Sequence, residues 1–122
     1  MVERLYAVRG AVTIDEDTRE QVVERTQALL TELLSRNTID RGQIVSILFT
    51  ATDDIHSEFP AAAARLMGLN GVPLMCAREL DVSSSIAFPL CIRVMMHFYG
   101  TTTPESVYLG ETARLREPPS PL

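Results

Sequence analysis

The ten residues Leu90–Tyr99, LCIRVMMHFY, alternate with a period of two. Leu90, Ile92, Val94, Met96 and Phe98 fall on one side, and Cys91, Arg93, Met95, His97 and Tyr99 on the other. A strand this long with one wholly apolar side must lie in a sheet whose apolar side is covered by other elements. The second side is mixed and carries a guanidinium in mid-strand. Arginine stays charged at any workable pH, and a buried cation without a partner is costly. From mid-strand Arg93 cannot snorkel past a strand end to water. Its partner is either an internal acid, such as Glu79 or Asp81, or a small anion in a cleft. Periodicity alone leaves both open.

Other segments supply partners for that strand. Arg4–Thr13 alternates as a strand, with Tyr6 and Val8 opposite Leu5, Ala7 and Arg9. DEDTREQVVERTQALLTELLSRN then predicts a helix, begun by a capping box at Asp17/Glu20 or Thr18/Gln21. Its buried stripe is Val22, Thr26, Leu29, Leu30 and Leu33, and Asn37 is the expected left-handed stop. Ile44–Thr50 reads as a strand apolar on both sides, hence central. DDIHSEFP leads as a loop to Pro60, a good first residue for the short helix PAAAARLM, which Gly68 ends. GVPLMCARELDV is extended, with Pro73 restricting it to an edge or a strand start. SSSIAFP turns the chain into the opening strand, SVYLG is a further short strand, and ETARLR one helical turn before a loose tail. Strands interspersed with two main helices predict an α/β (α+β) domain with a mixed sheet, spanning residues 1–116, and a flexible tail over 117–122.

Composition narrows the function classes. A chain of 122 residues suffices for one core. All 11 basic residues are arginine, against 16 acids, and the net charge of −5 with no basic run argues against nucleic acid. The N-terminus has no sustained apolar stretch of a signal peptide, and no run approaches the roughly 20 apolar residues of a membrane span. Cys76 and Cys91 are too few for a disulfide framework and read as buried thiols, so the cytoplasm is the expected compartment.

The chemistry-bearing residues are few. Arg9 precedes Gly10 near the end of the first strand, Glu79 sits among apolar neighbours in CARELD, and Tyr108 offers a phenol in SVYLG. With Arg93 they would make a pocket of cations, one carboxylate and one hydroxyl, suited to a small molecule bearing several carboxylates. No glycine-rich phosphate loop or nucleophile elbow is present, and His56 and His97 lack metal-ligand spacing. Catalysis by positioning and electrostatics, or plain binding, is what those absences leave.

The segments VRGAVTIDEDT, LFTATDDIHSEFPAAAAR, VPLMC with ELDV, CIRVMM and VYLGETARLR run in order from Val8 to Arg116. In that order and spacing the chain resembles the small, monofunctional, trimeric class of chorismate mutase, distinct from the all-helical class. The resemblance implies a homotrimeric pseudo-barrel with active sites between subunits. It implies the Claisen rearrangement of chorismate to prephenate, a step toward phenylalanine and tyrosine, with no cofactor, metal or covalent intermediate. By resemblance Arg93 stabilises the charge on the breaking ether oxygen, Arg9 binds a substrate carboxylate, and Glu79 accepts a hydrogen bond from the ring hydroxyl. Tyr108 and Cys76 contact the substrate, as do Leu74 and Met75 in VPLMC. From the neighbouring subunit come Phe59 and Leu115 as apolar walls, and Arg65 and Arg116 add charge at the cleft mouth. Ala62 stands where that pattern has a lysine. The alternative reading is a trimeric module that binds a carboxylate metabolite without rearranging it. A deaminase-like hydrolase on a similar scaffold is a more distant third.

Overall fold

A computed structural model describes residues 2–82 and 88–115, with only the backbone of Leu115 described. The expected turn over SSSIAFP and the tail therefore lie largely outside the described residues, as does Arg116. Five strands, β1 (Arg4–Thr13), β2 (Ile44–Ala51), β3 (Leu74–Arg78), β4 (Cys91–Gly100) and β5 (Val107–Tyr108), form one mixed sheet in the order β3-β2-β4-β1-β5. The strand of alternating residues thus takes the central place. β4 runs antiparallel to both β1 and β2, while β3 and β5 pair in parallel at the edges. Pro73 sits just before edge strand β3, where its missing N–H costs no ladder bond.

Helices α1 (Arg19–Arg36) and α2 (Ala61–Leu66) cover one face. The expected stripe of α1 is the buried one: Val22, Thr26, Leu29, Leu30 and Leu33. The leucines and Val22 pack with Val8, Val12, Ile47, Phe49, Ile92, Val94, Met96 and Phe98 in a single core. Burying each such side chain contributes about 1.5–3 kcal/mol. Gly10 lets α1 approach β1 closely, since a Cβ there would stand 3.0 Å from Leu29 Cδ1 and from the Val107 carbonyl oxygen.

The caps differ in part from the sequence expectation. Thr18 is the N-cap and accepts from the Gln21 N–H, but the Gln21 side chain accepts from the Asp15 and Glu16 N–H groups instead of closing a capping box. Asn37 is not left-handed, with φ of −103°; Thr38 takes the positive φ of 51°. Asn37 is held otherwise, because its side chain donates to the Leu33 and Glu105 carbonyls and accepts from the Glu105 N–H. Leu90 lies outside β4 with φ of 49°, so the strand begins one residue later than the alternation suggested.

The other face of the sheet is covered only near the start of β4, where Phe88 and Tyr108 pack with Ala11 and Cys91; the rest has no covering element among the described residues. Leu5, Leu48, Met75 and Tyr99 are exposed there at 54%, 39%, 62% and 46%. Away from Phe88 and Tyr108 this mixed face therefore presents apolar side chains without a cover.

Candidate active site

The register of the sheet puts the candidate residues in place. Ala77, Thr50, Arg93, Ala11 and Tyr108 form one cross-strand row on the uncovered face, from edge to edge. Arg9 lies on the same face of β1, opposite Met95, one side-chain step along from that row. Antiparallel pairing of β1 with β4 therefore brings two guanidiniums from opposite ends of the chain onto adjacent strands. Tyr108 follows because β5 adds beside β1, and it packs against a small apolar cluster of Ala11, Phe88 and Cys91.

Glu79 directly follows β3, and its N–H donates to the Ala51 carbonyl. Its carboxylate reaches Arg93, with Oε1 2.8 Å from Nε. Of the two acids that the sequence offered Arg93, Glu79 is the partner. The contact is an ion pair without hydrogen-bond alignment, since Arg93 Nε is buried and has no aligned acceptor among the described residues. Burial on one side and an imperfectly used donor on the other make the pair a poor investment as a structural bridge alone. No other ion pair of Arg93 is found among the described residues, which leaves its terminal nitrogens for a further acceptor.

Arg93 and Glu79 line a cavity of about 580 Å³ with Thr52, Asp53, Asp54, Leu80, Asp81, Val82, Phe88 and Pro89. That volume suits a small metabolite. Beside it the 3₁₀ turn Gly110–Leu115 carries Arg114, whose guanidinium carbon lies 5.1 Å over the Phe88 ring. The turn is anchored on β1: Thr112 Oγ1 donates toward the Ala11 and Leu109 carbonyls, and the Glu111 N–H donates to Thr13 Oγ1. Gly110, at φ 63°, passes so close to Thr13 that a Cβ would sit 2.5 Å from its hydroxyl. The lining counts four carboxylates against one guanidinium. A bound dianion therefore needs positive charge from outside this cavity.

The remaining candidates stand elsewhere on the single chain. Cys76 is on the helix-covered side of β3, opposite Phe49 in register. There its thiol is pushed up by burial, with the Ala61 backbone hydrogen bond and the Arg65 charge working against that rise. It lines a second cavity, of about 410 Å³, with Ile55, His56, Ser57, Glu58, Phe59 and Pro60 among others. Phe59 stands out from this loop, 65% exposed. Arg65 is exposed at the end of α2, Leu74 is half-buried against the core, and Met75 is exposed on the uncovered sheet face. The side chain of Leu115 and all of Arg116 lie outside the described residues. One protomer thus puts Arg93 and Glu79 in one cavity, with Arg9 and Tyr108 on the same face of the sheet and Phe59, Arg65 and Cys76 elsewhere.

Sequence reading missed the segment Thr52–Asp54 as part of the site. DDIHSEFP reads as no more than a connecting loop, yet Thr52, Asp53 and Asp54 line the cavity, and two of them bond the start of β4. Only the order of strands reveals this, since β2 ends where β4 begins. No group of three or more metal-ligating side chains occurs among the described residues.

The family model for chorismate mutase type I matches residues 5–118. The chain is 42% identical over 114 residues to chorismate mutase AroH of Thermus thermophilus, covering 89% of this chain and 91% of that protein. It is 38% identical over 117 residues to chorismate mutase AroH of Bacillus subtilis, covering 92% and 90%. Among solved structures, a chorismate mutase from Clostridium thermocellum superposes with a TM-score of 0.86 at 40% identity, covering 90% of this chain and 99% of that one.

Proposed function

This chain belongs to the type I chorismate mutases, and we propose that it performs the intramolecular rearrangement of chorismate to prephenate at the cavity holding Arg93 and Glu79. The observation that carries this assignment is the mid-strand Arg93, ion-paired through Nε to Glu79 and, among the described residues, in no other ion pair. The binding module without turnover has no support, because both relatives are named as mutases at 38–42% identity.

Chorismate is a dianion with an ether bridge and a ring hydroxyl. In the rearrangement the ether C–O bond breaks ahead of C–C bond formation, so negative charge collects on the ether oxygen. A cation fixed at that oxygen stabilises the transition state more than the ground state and so raises turnover. Arg93 fills this role: both neighbouring strands clamp its backbone, so little reorganisation accompanies the charge. Glu79 accepts the ring hydroxyl's hydrogen bond and orients Arg93. Arg9 takes a carboxylate of the substrate, and Tyr108 contacts the same end. Holding the enolpyruvyl arm over the ring in its reactive conformer is the second contribution.

The site is completed by a neighbouring copy in a homotrimer. The uncovered apolar sheet face and the exposed Phe59 support this reading, as does the charge deficit of the cavity. Phe59 and Leu115 approach from the neighbour as apolar walls, Arg65 and Arg116 add charge at the mouth, and Cys76, Leu74 and Met75 are further substrate contacts. The catalytic domain spans residues 1–116 and works in the cytoplasm; no described helix is long and apolar enough to cross a membrane. No cofactor or metal is required by this chemistry.

The decisive assay follows loss of chorismate absorbance with purified protein. Arg93→Ala is expected to lower kcat by at least about 10²–10³-fold, the cost of removing one oxyanion donor. A wild-type protein that fails to accelerate the reaction would sink the assignment, and a fully active Arg93→Ala would sink the role of the residue.

A further inference from the structure

Two strands must arrive together for Arg93 to meet Glu79, and both are tied to the turn that ends β2. Asp54 Oδ2 accepts from the Leu90 N–H at 2.9 Å, and Asp54 Oδ1 accepts from the Thr52 hydroxyl at 2.5 Å. Thr52 Oγ1 in turn accepts from the Cys91 N–H at 3.0 Å, while the Thr52 N–H donates to the Cys91 carbonyl at 3.1 Å. Three of these four bonds grip Leu90 and Cys91, just before and at the start of β4 and three and two positions ahead of Arg93. Leu90 needs such a grip, because its left-handed backbone disfavours any residue with a Cβ. The same turn holds the end of β3. Arg78 Nη1 donates to the Thr52 carbonyl at 2.5 Å and to the Ile55 carbonyl at 3.0 Å, and the Glu79 N–H donates to the Ala51 carbonyl at 2.9 Å.

We infer that Asp54, acting through Thr52 and the Leu90 backbone, is a positioning residue that sets the distance and direction of Arg93 relative to Glu79 and the substrate. A carboxylate is suited to this because it accepts two hydrogen bonds in different directions without donating any. The inference rests on the mutase reading above. Asp54 lines the cavity, so its alternative role is direct contact with substrate, and a third possibility is a purely structural turn.

The effects on kcat, KM and folding separate these. Asp54→Ala and Thr52→Val are compared with wild type by steady-state chorismate kinetics, thermal unfolding, and inhibition by a rigid bicyclic dicarboxylate that mimics the transition state. Misplacement of a catalytic group by a fraction of an ångström predicts a fall in kcat of about 10- to 100-fold with KM changed less than about threefold. The inhibitor should weaken in step with kcat/KM, and Thr52→Ser, which keeps the hydroxyl, should restore turnover. The two deletions should be non-additive, since they break one chain of hydrogen bonds. If Asp54→Ala does not fold, the Thr52→Val and Thr52→Ser pair carries the same test. A rise in KM with kcat intact, or a lower melting temperature with wild-type kcat per folded molecule, overturns the inference. An active wild type with unaffected variants overturns this inference alone, whereas an inactive wild type overturns the mutase reading on which it stands.

Discussion

Arg93 and Cys91 project from the same side of β4, two residues apart, and each shapes the other's surroundings. Cys91 is 1% exposed, and burial pushes its thiol up to about 11, a rise that the Arg93 charge partly opposes. The neutral thiol is the form the fold accepts. Because the folded value lies above the unfolded one, the associated stability is intact below about pH 9 and is lost as pH rises toward 11. Two units correspond to about 2–3 kcal/mol at most. Urea unfolding from pH 8 to 11 should therefore show a steeper alkaline loss for wild type than for Cys91→Ala. A thiol reagent at pH 8 should leave Cys91 unmodified until the protein unfolds. Equal slopes in the two proteins would show that the thiol is not held in its neutral form. The residue itself was easy to flag from sequence; its neighbours were not. Alternation placed Cys91 and Arg93 on one side, but Ala11, Phe88 and Tyr108 join them only through pairing across three strands.

The elements around the site are fastened at their ends by side chains. Asp17, just before α1, accepts from the Ser57 hydroxyl at 2.7 Å and from the His56 and Ser57 N–H groups at 2.8 and 3.1 Å. This binds the start of α1 to the loop that presents Phe59. The Ser57 hydroxyl bond, then the backbone N–H groups, hold the Asp17 carboxyl below its usual range despite some desolvation. Since the folded value is lowered, the stability it lends is present above the ordinary carboxylate range and lost as pH falls through the folded one. Asp17→Ala should cost about 1 kcal/mol at pH 7, because the group is only half-buried and water competes for it. The gap to wild type should close in denaturant titrations below pH 4. A gap independent of pH would mean that the charge is not what holds the loop. Sequence reading proposed Asp17 as one of two capping residues, whereas Thr18 caps the helix and Asp17 reaches 39 residues along the chain. A local motif describes bonds within one turn, and Asp17 makes its bonds outside that turn.

At the scale of the whole molecule, helices cover one face of the sheet, and the open part of the other face carries apolar side chains for a second cover. Leu5, Leu48, Met75 and Tyr99 are spread over four strands of the open face, too broadly to be chance exposure on one loop. Burying them against two further copies is the proposed solution, and it brings each neighbour's Phe59 loop within reach of the cavity. Leu48→Asp should shift the protein from trimer to monomer in sedimentation velocity and cut kcat/KM by at least about tenfold, an unpaired carboxylate at a dry interface costing several kcal/mol. A monomeric variant with full activity would show that one protomer suffices.

By itself the sequence determined the strands, the buried stripe of α1, the two-sided character of β4 and the need of Arg93 for an anionic partner. Each follows from interactions within one element, whose period is written in neighbouring residues. Its ordered motifs also carried the resemblance to chorismate mutase, which the family match over residues 5–118 bears out. The tertiary structure alone decided that Glu79 and not Asp81 is the partner, that Thr38 and not Asn37 turns left-handed, and that Thr52 and Asp54 hold the start of β4. The ion pair and the grip on β4 depend on strand order and register, which bring residues 14 to 39 positions apart into contact. No local period encodes such separations.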